Sequence, residues 1–320
     1  RVVPFEYGKI PRSYLLQNDG TGRFKDVTSK YAPELATAGF ITSAVWFDID
    51  KDNDKDLLLS MEWGSPTVFL STNGKFIRKN LCDRKGWWSF LLPVDIDNDG
   101  DMDLVAGNLG LNSRLLASEK KPVRLYYNDF DNNGKKEQVL TYYLQGKEIP
   151  FANKAELEKQ MPALKKKFLY AEDFAKASLK SLFGADNLRK ADILSADYFS
   201  NALLINDGNL RFEVKELPWQ AQLTTFRDAA VINANNDELP DLLLTGNYYG
   251  NNIERGRYDA DYGTILVNNG RGSFTYYRSN GFSIKGEVRK IRKINIGNKE
   301  AFVLAYNNDS ARIIQITGKK

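Results

Sequence analysis

The stretch Asp95-Ile96-Asp97-Asn98-Asp99-Gly100-Asp101-Met102-Asp103-Leu104 constrains this chain more than any other. It sets carboxylates at its first, third, fifth and ninth positions and glycine at its sixth, between apolar runs from Phe90 to Val94 and from Leu104 to Ala106. A hard cation such as Ca2+ takes six to eight oxygens, and a tight loop supplies them from alternate residues, whose side chains point inward. Asp95, Asp97, Asp99 and Asp103 would offer side-chain oxygens, and Asp101 its backbone carbonyl. Glycine at the sixth position suits a sharp turn with positive φ, which costs a residue bearing a Cβ about 1 kcal/mol or more. An EF-hand would need a glutamate at the twelfth position and a helix on each side. Here the twelfth residue is Ala106 and both flanks have strand character, so the loop joins two strands.

The same loop recurs three times in decaying form. Asp48, Asp50, Asp52, Asp54 and Asp56 fill every ligand place of the first copy, with Asn53 at the sixth position. Asp129, Asp131, Asn133, Lys135 and Glu137 make the third copy, which keeps its glycine at Gly134. Asn233, Asn235, Asp237, Leu239 and Asp241 make the fourth, where two ligands are neutral amides and Glu238 stands in the glycine's place. The copies starting at 48 and 95 are expected to bind best, the third moderately, and the fourth weakly or not at all.

Hairpins accompany the loops. An apolar strand, a turn rich in Asn, Asp and Gly, and a phenylalanine opening the next strand occur from Tyr14 to Phe24, Val68 to Phe76, Leu203 to Phe212 and Ile265 to Phe274. The Asn/Asp-Gly pairs supply the positive φ that tight turns between twisted strands require. One unit is therefore strand, metal loop, strand, connection, strand, turn, strand. Four antiparallel strands repeated along a chain predict an all-β fold, a β-propeller of four-stranded blades. Loop starts fall at 48, 95, 129 and 233, and the last interval is long enough to need an insertion. Between 152 and 192 the alternation stops. Leu157, Met161, Leu164 and Phe168, then Phe174, Ala177, Leu182 and Phe183, fall at helical spacing, with Gly184 as a C-terminal cap. The chain thus reads as a single β-propeller over 1–320, or a portion of a larger one, with a helical insertion over 152–192 inside a blade.

Composition removes several function classes. The chain has 320 residues, 42% hydrophobic and 27% charged, the balance of an ordinary globular protein. A net charge of +4, with acidic residues clustered in loops and lysines scattered, argues against a nucleic-acid surface. No apolar run reaches the length of a membrane-spanning helix, and the first residues lack signal-peptide architecture. Cys82 is alone, so no internal disulfide forms. The chain contains no histidine, which removes Ser-His-Asp and Cys-His catalysis and His-ligated zinc together.

The Asp-x-Asp-x-Asp-Gly-x-x-Asp-Leu loops and the Leu-Leu-x-Asn-x-Gly-x-Phe hairpins resemble FG-GAP, or VCBS-type, repeats, which also build the heads of integrin α-subunits. The resemblance implies Ca2+-binding propeller blades and two to four bound ions. A closer resemblance, to large VCBS-repeat proteins of Bacteroidetes-type bacteria, some with an ASPIC/UnbV-like segment, is carried by four stretches. They are Gly107 to Asn112, Gln160 to Phe168, Leu217 to Gln222, and Gly256 to Ala260. It implies an exported protein at the extracellular or outer-membrane surface, with a protein or glycan partner and a link to outer-membrane transporter components of nutrient uptake. In such propellers the ions tie strands together more often than they touch a ligand.

Ligand contacts are expected elsewhere. The connection from Asn247 to Tyr262 is far longer than a hairpin needs, and long loops on rigid scaffolds tend to carry function. Tyr248, Tyr249, Arg255, Arg257 and Tyr258 within it suit a glycan or a protein edge, and the bland alternative is a loop packed over the propeller face. Trp63, Trp87, Trp88 and Trp219 either stack on sugars or pack between blades. The function expected is non-enzymatic binding. The competing class is a polysaccharide lyase or hydrolase working through carboxylates or tyrosine.

Overall fold

The computed structural model describes residues 7–251, 256–278 and 281–316. Strands take up 41% of it and helices 14%, so the chain is mostly β, and its sheets are antiparallel. Contacts divide it into two compact units, Ser13–Ser113 with Phe199–Lys320, and Arg1–Arg12 with Arg114–Tyr198.

In the larger unit, three four-stranded meanders follow one another. The first runs Phe40–Phe47, Asp56–Gly64, Thr67–Thr72 and Lys75–Asn80, with Gly86–Trp87 added beside its second strand. The second runs Phe90–Val94, Asp103–Gly107, Ala202–Asn206 and Phe212–Glu216; the third runs Phe226–Ile232, Asp241–Gly246, Thr264–Asn268 and Phe274–Tyr277. A three-stranded sheet of Val288–Ile296, Lys299–Tyr306 and Arg312–Ile314 follows, and the hairpin Leu16–Asn18 with Phe24–Asp26 pairs only with itself.

The sequence explains which strands lie where. Second strands are covered on both faces and read as unbroken apolar runs, such as Leu57–Leu59, Leu104–Ala106 and Leu242–Leu244, all buried. Each such leucine contributes on the order of 2 kcal/mol by leaving water. The fourth strand Lys75–Asn80 instead alternates between half-buried and exposed residues along much of its length. The first strands of the three meanders and of the three-stranded sheet line one cavity of about 550 Å3, through Ser43–Val45, Phe90–Pro93, Asp228–Val231 and Lys290–Lys293. Phe40–Phe47 packs beside Phe90–Val94, that strand beside Phe226–Ile232, and that one beside Val288–Ile296. These sheets therefore turn equivalent edges to a common space.

The second meander is interrupted in sequence between Gly107 and Ala202, yet Ala202 pairs with Ala106 and Leu204 with Leu104. A buried polar network fastens the two ends of this excursion. The Asn108 N–H donates to Asn201 Oδ1 (2.6 Å) and the Asn201 N–H to Gln222 Oε1 (2.8 Å), while Gln222 Nε2 donates to the Asn201 and Leu217 carbonyls. Two of the stretches that carry the closer resemblance, Gly107 to Asn112 and Leu217 to Gln222, thus meet at this seam. With its ends held together, a long excursion adds little closure entropy, because that cost grows only logarithmically with length.

The smaller unit has its own sheet, in the order Lys147–Pro150, Glu137–Leu144, Val123–Asn128, Asp192–Ala196. Asp192–Ala196, the last of these in sequence, returns beside Val123–Asn128, the first, so the connectivity differs from the meanders. Between Lys147–Pro150 and Asp192–Ala196 lie five short helices, Lys154–Gln160, Ala163–Lys167, Ala171–Lys176, Leu179–Phe183 and Ala185–Lys190. Asn153 opens the first with a capping box to Glu156, and Gly184 follows the fourth with φ 83°. Leu157, Met161, Leu164, Phe168, Phe174, Leu182 and Phe183 bury together against Tyr126 and Val139 of the sheet and Phe130 of the loop between their strands. The run Lys165–Lys167 is exposed, a solvated face.

Candidate metal centres and the adjoining loop

Each Asp-rich loop joins the first two strands of its sheet, and its polar geometry follows from its backbone. The residue at the sixth position has positive φ in three copies, Asn53 (72°), Gly100 (93°) and Gly134 (84°). This turns its N–H back onto the first carboxylate: Asn53 donates to Asp48 Oδ2 (3.0 Å), Gly100 to Asp95 Oδ2 (3.0 Å) and Gly134 to Asp129 Oδ2 (2.8 Å). The fourth position is also left-handed, at Lys51, Asn98, Asn132 and Asn236. The sequence reading did not anticipate that second turn, although asparagine at three of the four places was the available signal.

Several of the remaining oxygens of the first and third carboxylates have no donor, although Asp129 Oδ1 accepts from Asn133 N–H (3.0 Å) and Asp50 Oδ1 from Asp52 N–H (3.3 Å). Asp48 Oδ1, Asp95 Oδ1, Asp97 Oδ1 and Asp131 Oδ1 are buried without any hydrogen-bond partner. Three groups bring carboxylate oxygens within 4.8 Å of one another: Asp48, Asp50 and Asp56; Asp95, Asp97 and Asp99; Asp129, Asp131 and Glu137. Two negative charges at that separation repel by about 3 kcal/mol at an effective dielectric of 20. Orphaned, crowded, all-oxygen donors fit a hard divalent cation, with Ca2+ the best match to this ligand type. When bound, such an ion would neutralise these carboxylates and supply the partner their free oxygens lack.

The ninth residue, which in two copies also belongs to the crowded group, has a further task. Asp56 accepts from the Ile49 and Ser71 N–H groups (3.0 and 2.8 Å), Asp103 from Ile96 and Asn206 (3.0 and 2.8 Å), and Asp241 from Ala234 and Asn268 (2.7 and 2.8 Å). One carboxylate thus ties its own loop to the third strand of its sheet. Glu137 accepts from Phe130 N–H within its loop (2.8 Å). Burial pushes the carboxyls of Asp56 and Glu137 up and that of Asp103 up to about 6, against the pull of these N–H donors. Burial also raises Asp50. Asp52, Asp54 and Asp101 lie toward solvent, where Asp101 Oδ1 accepts from Lys51 Nζ of the neighbouring loop (2.6 Å).

The fourth loop is closed by its own amides. Asn233 Nδ2 donates to the Asp237 carbonyl and Asn235 Nδ2 to Asp237 Oδ2, both at 2.6 Å. Amide hydrogens thus occupy the oxygens that a cation would take. Glu238 is absent from the left-handed residues, and the first side chain is reached from Asn236 N–H (2.7 Å), two residues earlier than in the other copies. Leu239 donates its N–H to Asp237 Oδ1 (2.9 Å). In the third loop the corresponding bond runs from Lys135 N–H to Asn133 Oδ1 (2.8 Å).

The long connection lies at the other end of the third sheet's second strand. Tyr248 and Tyr258 exchange backbone hydrogen bonds (2.8 and 2.9 Å), and Tyr258 Oη lies 3.3 Å from Ser113 Oγ. Arg257 stacks over Tyr249 at 4.7 Å. Tyr248, Tyr249 and Tyr258 are half-buried and Arg257 is exposed, while Arg255 lies outside the described residues. Among the tryptophans, Trp88 is fully buried, Trp63 and Trp87 pack edge to face at 5.1 Å, and Trp219 is 68% exposed.

The connection is anchored by buried polar groups. Asn247 donates to the Asp261 and Gly286 carbonyls (both 2.9 Å), and Asp261 accepts from Gly263 N–H and Thr264 Oγ1 (both 3.0 Å). Burial pushes the Asp261 carboxyl up to about 7. The folded chain therefore holds this proton more tightly than the unfolded one. The group's contribution to stability is full below about pH 4 and is lost as pH rises towards 7, an effect on the order of a few kcal/mol. Asp261→Asn is expected to remove that slope. Urea denaturation of both proteins at pH 5 and pH 8 checks it, and a stability difference that does not change with pH contradicts it.

A family model described as an FG-GAP-like repeat matches residues 48–106, which span the first two loops and the strands between them. No curated protein matches the chain.

Proposed function

We propose that the larger unit is a closed β-propeller fastened by Ca2+, working without catalysis as an extracellular interaction or ligand-capture module at a bacterial surface. On this reading it stands with the exported VCBS-repeat proteins of Bacteroidetes-type bacteria, including those with ASPIC/UnbV-like segments, and assists an outer-membrane nutrient-uptake system. The observation that carries it is the commitment of the acidic loops. Their carboxylates hold strand to loop or crowd around a cation position, and none lines the cavity between the first strands. The carboxylate that does line the cavity, Asp228, accepts from Ile291 N–H (3.1 Å) and Arg292 Nη1 (2.6 Å). The acidic clusters among the described residues are thus taken up by the loops themselves, which leaves the half-buried tyrosines of the long connection as the contact surface. No helix among the described residues is long and apolar enough to cross a membrane.

The test is incubation of the chain, in Ca2+, with a panel of neutral and acidic polysaccharides. No new reducing ends and no unsaturated products are expected. Either product would replace the binding reading with a polysaccharide lyase or hydrolase.

A further inference from the structure

Two arginines at matching bulges in neighbouring sheets meet at one tyrosine of the long connection. The strand Phe226–Ile232 shifts register between Phe226 and Asp228, leaving Arg227 as the extra residue. Val288–Ile296 does the same between Val288 and Lys290, leaving Arg289. A bulge re-aims a side chain that the pleat would otherwise fix. Both guanidinium carbons lie over the Tyr248 ring, 5.1 Å and 5.9 Å from its centroid.

The two charges are not equally satisfied. Arg289 Nη2 lies 2.6 Å from Oε1 of buried Glu287, an ion pair not aligned as a hydrogen bond, and Glu287 Oε2 accepts from Asn307 Nδ2 (2.8 Å). Arg227 makes no ion pair among the described residues, and its buried Nε has no hydrogen-bond partner. Glu62 and Glu287 act on its charge electrostatically, opposing the neighbouring Arg289. A half-buried guanidinium whose buried Nε meets no acceptor is costly unless an anion completes the group. The planar group that matches a guanidinium fork is a carboxylate. Tyr248, which lies under both arginines, is paired through its backbone with Tyr258, and half-buried tyrosines of this connection suit the apolar face of a sugar.

We propose that Arg227 and Arg289, held over Tyr248, form a binding site for the carboxylate of a uronate residue in an acidic glycan. This rests on the reading of the long connection as a ligand-contact surface and names the ligand class for it. Isothermal titration calorimetry of the whole chain, in excess Ca2+, with tetragalacturonate and its methyl ester tests it. The acid should bind, and the ester should bind about ten-fold more weakly or not at all. Arg227→Gln should weaken binding of the acid by about ten-fold. Arg289→Lys, which keeps the charge and loses the fork, should weaken it by about three-fold or more.

Melting curves establish that each variant is folded, and the lysine variant keeps the test decisive if the glutamine variant is not. Equal affinity for acid and ester, unchanged binding in the folded variants, absence of binding by the acid, or equally tight binding of polyglutamate would each overturn the assignment. Unsaturated products in the titration cell would overturn the non-catalytic reading instead and leave the arginine site standing.

Discussion

Asp103→Ala is expected to destabilise the chain by about 3–5 kcal/mol, among the largest effects of any single change in the metal loops. Asp103 is fully buried, and its two oxygens accept the N–H groups of Ile96 and Asn206. Removing it strands two buried donors, each at about 1–3 kcal/mol, and opens a cavity beside Ile96 and Leu104. It also cuts the tie between the loop and the strand Ala202–Asn206, whose partner in the sheet is nearly a hundred residues away in sequence. Asp241→Ala breaks the same pair of bonds in the fourth loop, which closes on its own amides. Its cost should therefore be the same with Ca2+ and with chelator, whereas that of Asp103→Ala should be larger with Ca2+. Urea denaturation under both conditions reads the difference. A loss below about 1 kcal/mol for Asp103→Ala would show that these bonds are not the fastening described.

The second large effect concerns the ion itself. A site filled at a hundred times its dissociation constant stabilises the fold by about 2.7 kcal/mol. For a chain of this size that is a rise in melting temperature of roughly 5 °C per site. Asp97→Ala and Asp50→Ala should each remove about one site's share of the Ca2+-dependent shift. Asp97 carries an orphaned inward oxygen, and Asp50 belongs to the crowded group with Asp48 and Asp56. Asn235→Ala should leave the shift unchanged, since Asn235 already donates to Asp237 within its loop. Equal losses from all three variants would refute the division between ion-holding and self-closing loops.

How much of this was legible in the chain depended on whether the cause was local. The loops, the Asn/Asp-Gly hairpins and the helices over Lys154–Lys190 follow from turn chemistry and from periods of two and 3.6 residues, so their positions could be read directly. The glycine requirement at Gly100 was legible for the same reason. The left-handed turn at Lys51 was not, because lysine has no preference for it and the surrounding hydrogen bonds impose it.

Pairing at a distance was also hidden. Nothing local says that Leu204 pairs with Leu104, or that Asp192–Ala196 returns beside Val123–Asn128. The role of the ninth aspartate was half visible: its acidity suggested a ligand, while its bonds to Ser71, Asn206 and Asn268 need the third strand in place. Arg227 and Arg289 gave no motif at all, because bulges bring them together and spacing does not.

On the proposed function, loops with orphaned inward oxygens fasten the sheets by holding a cation. The most direct measurement is the melting temperature of the unaltered chain in Ca2+ and in excess chelator. A rise of roughly 5–15 °C with Ca2+ is expected from one to three filled loops. Identical melting curves in the two conditions would contradict it.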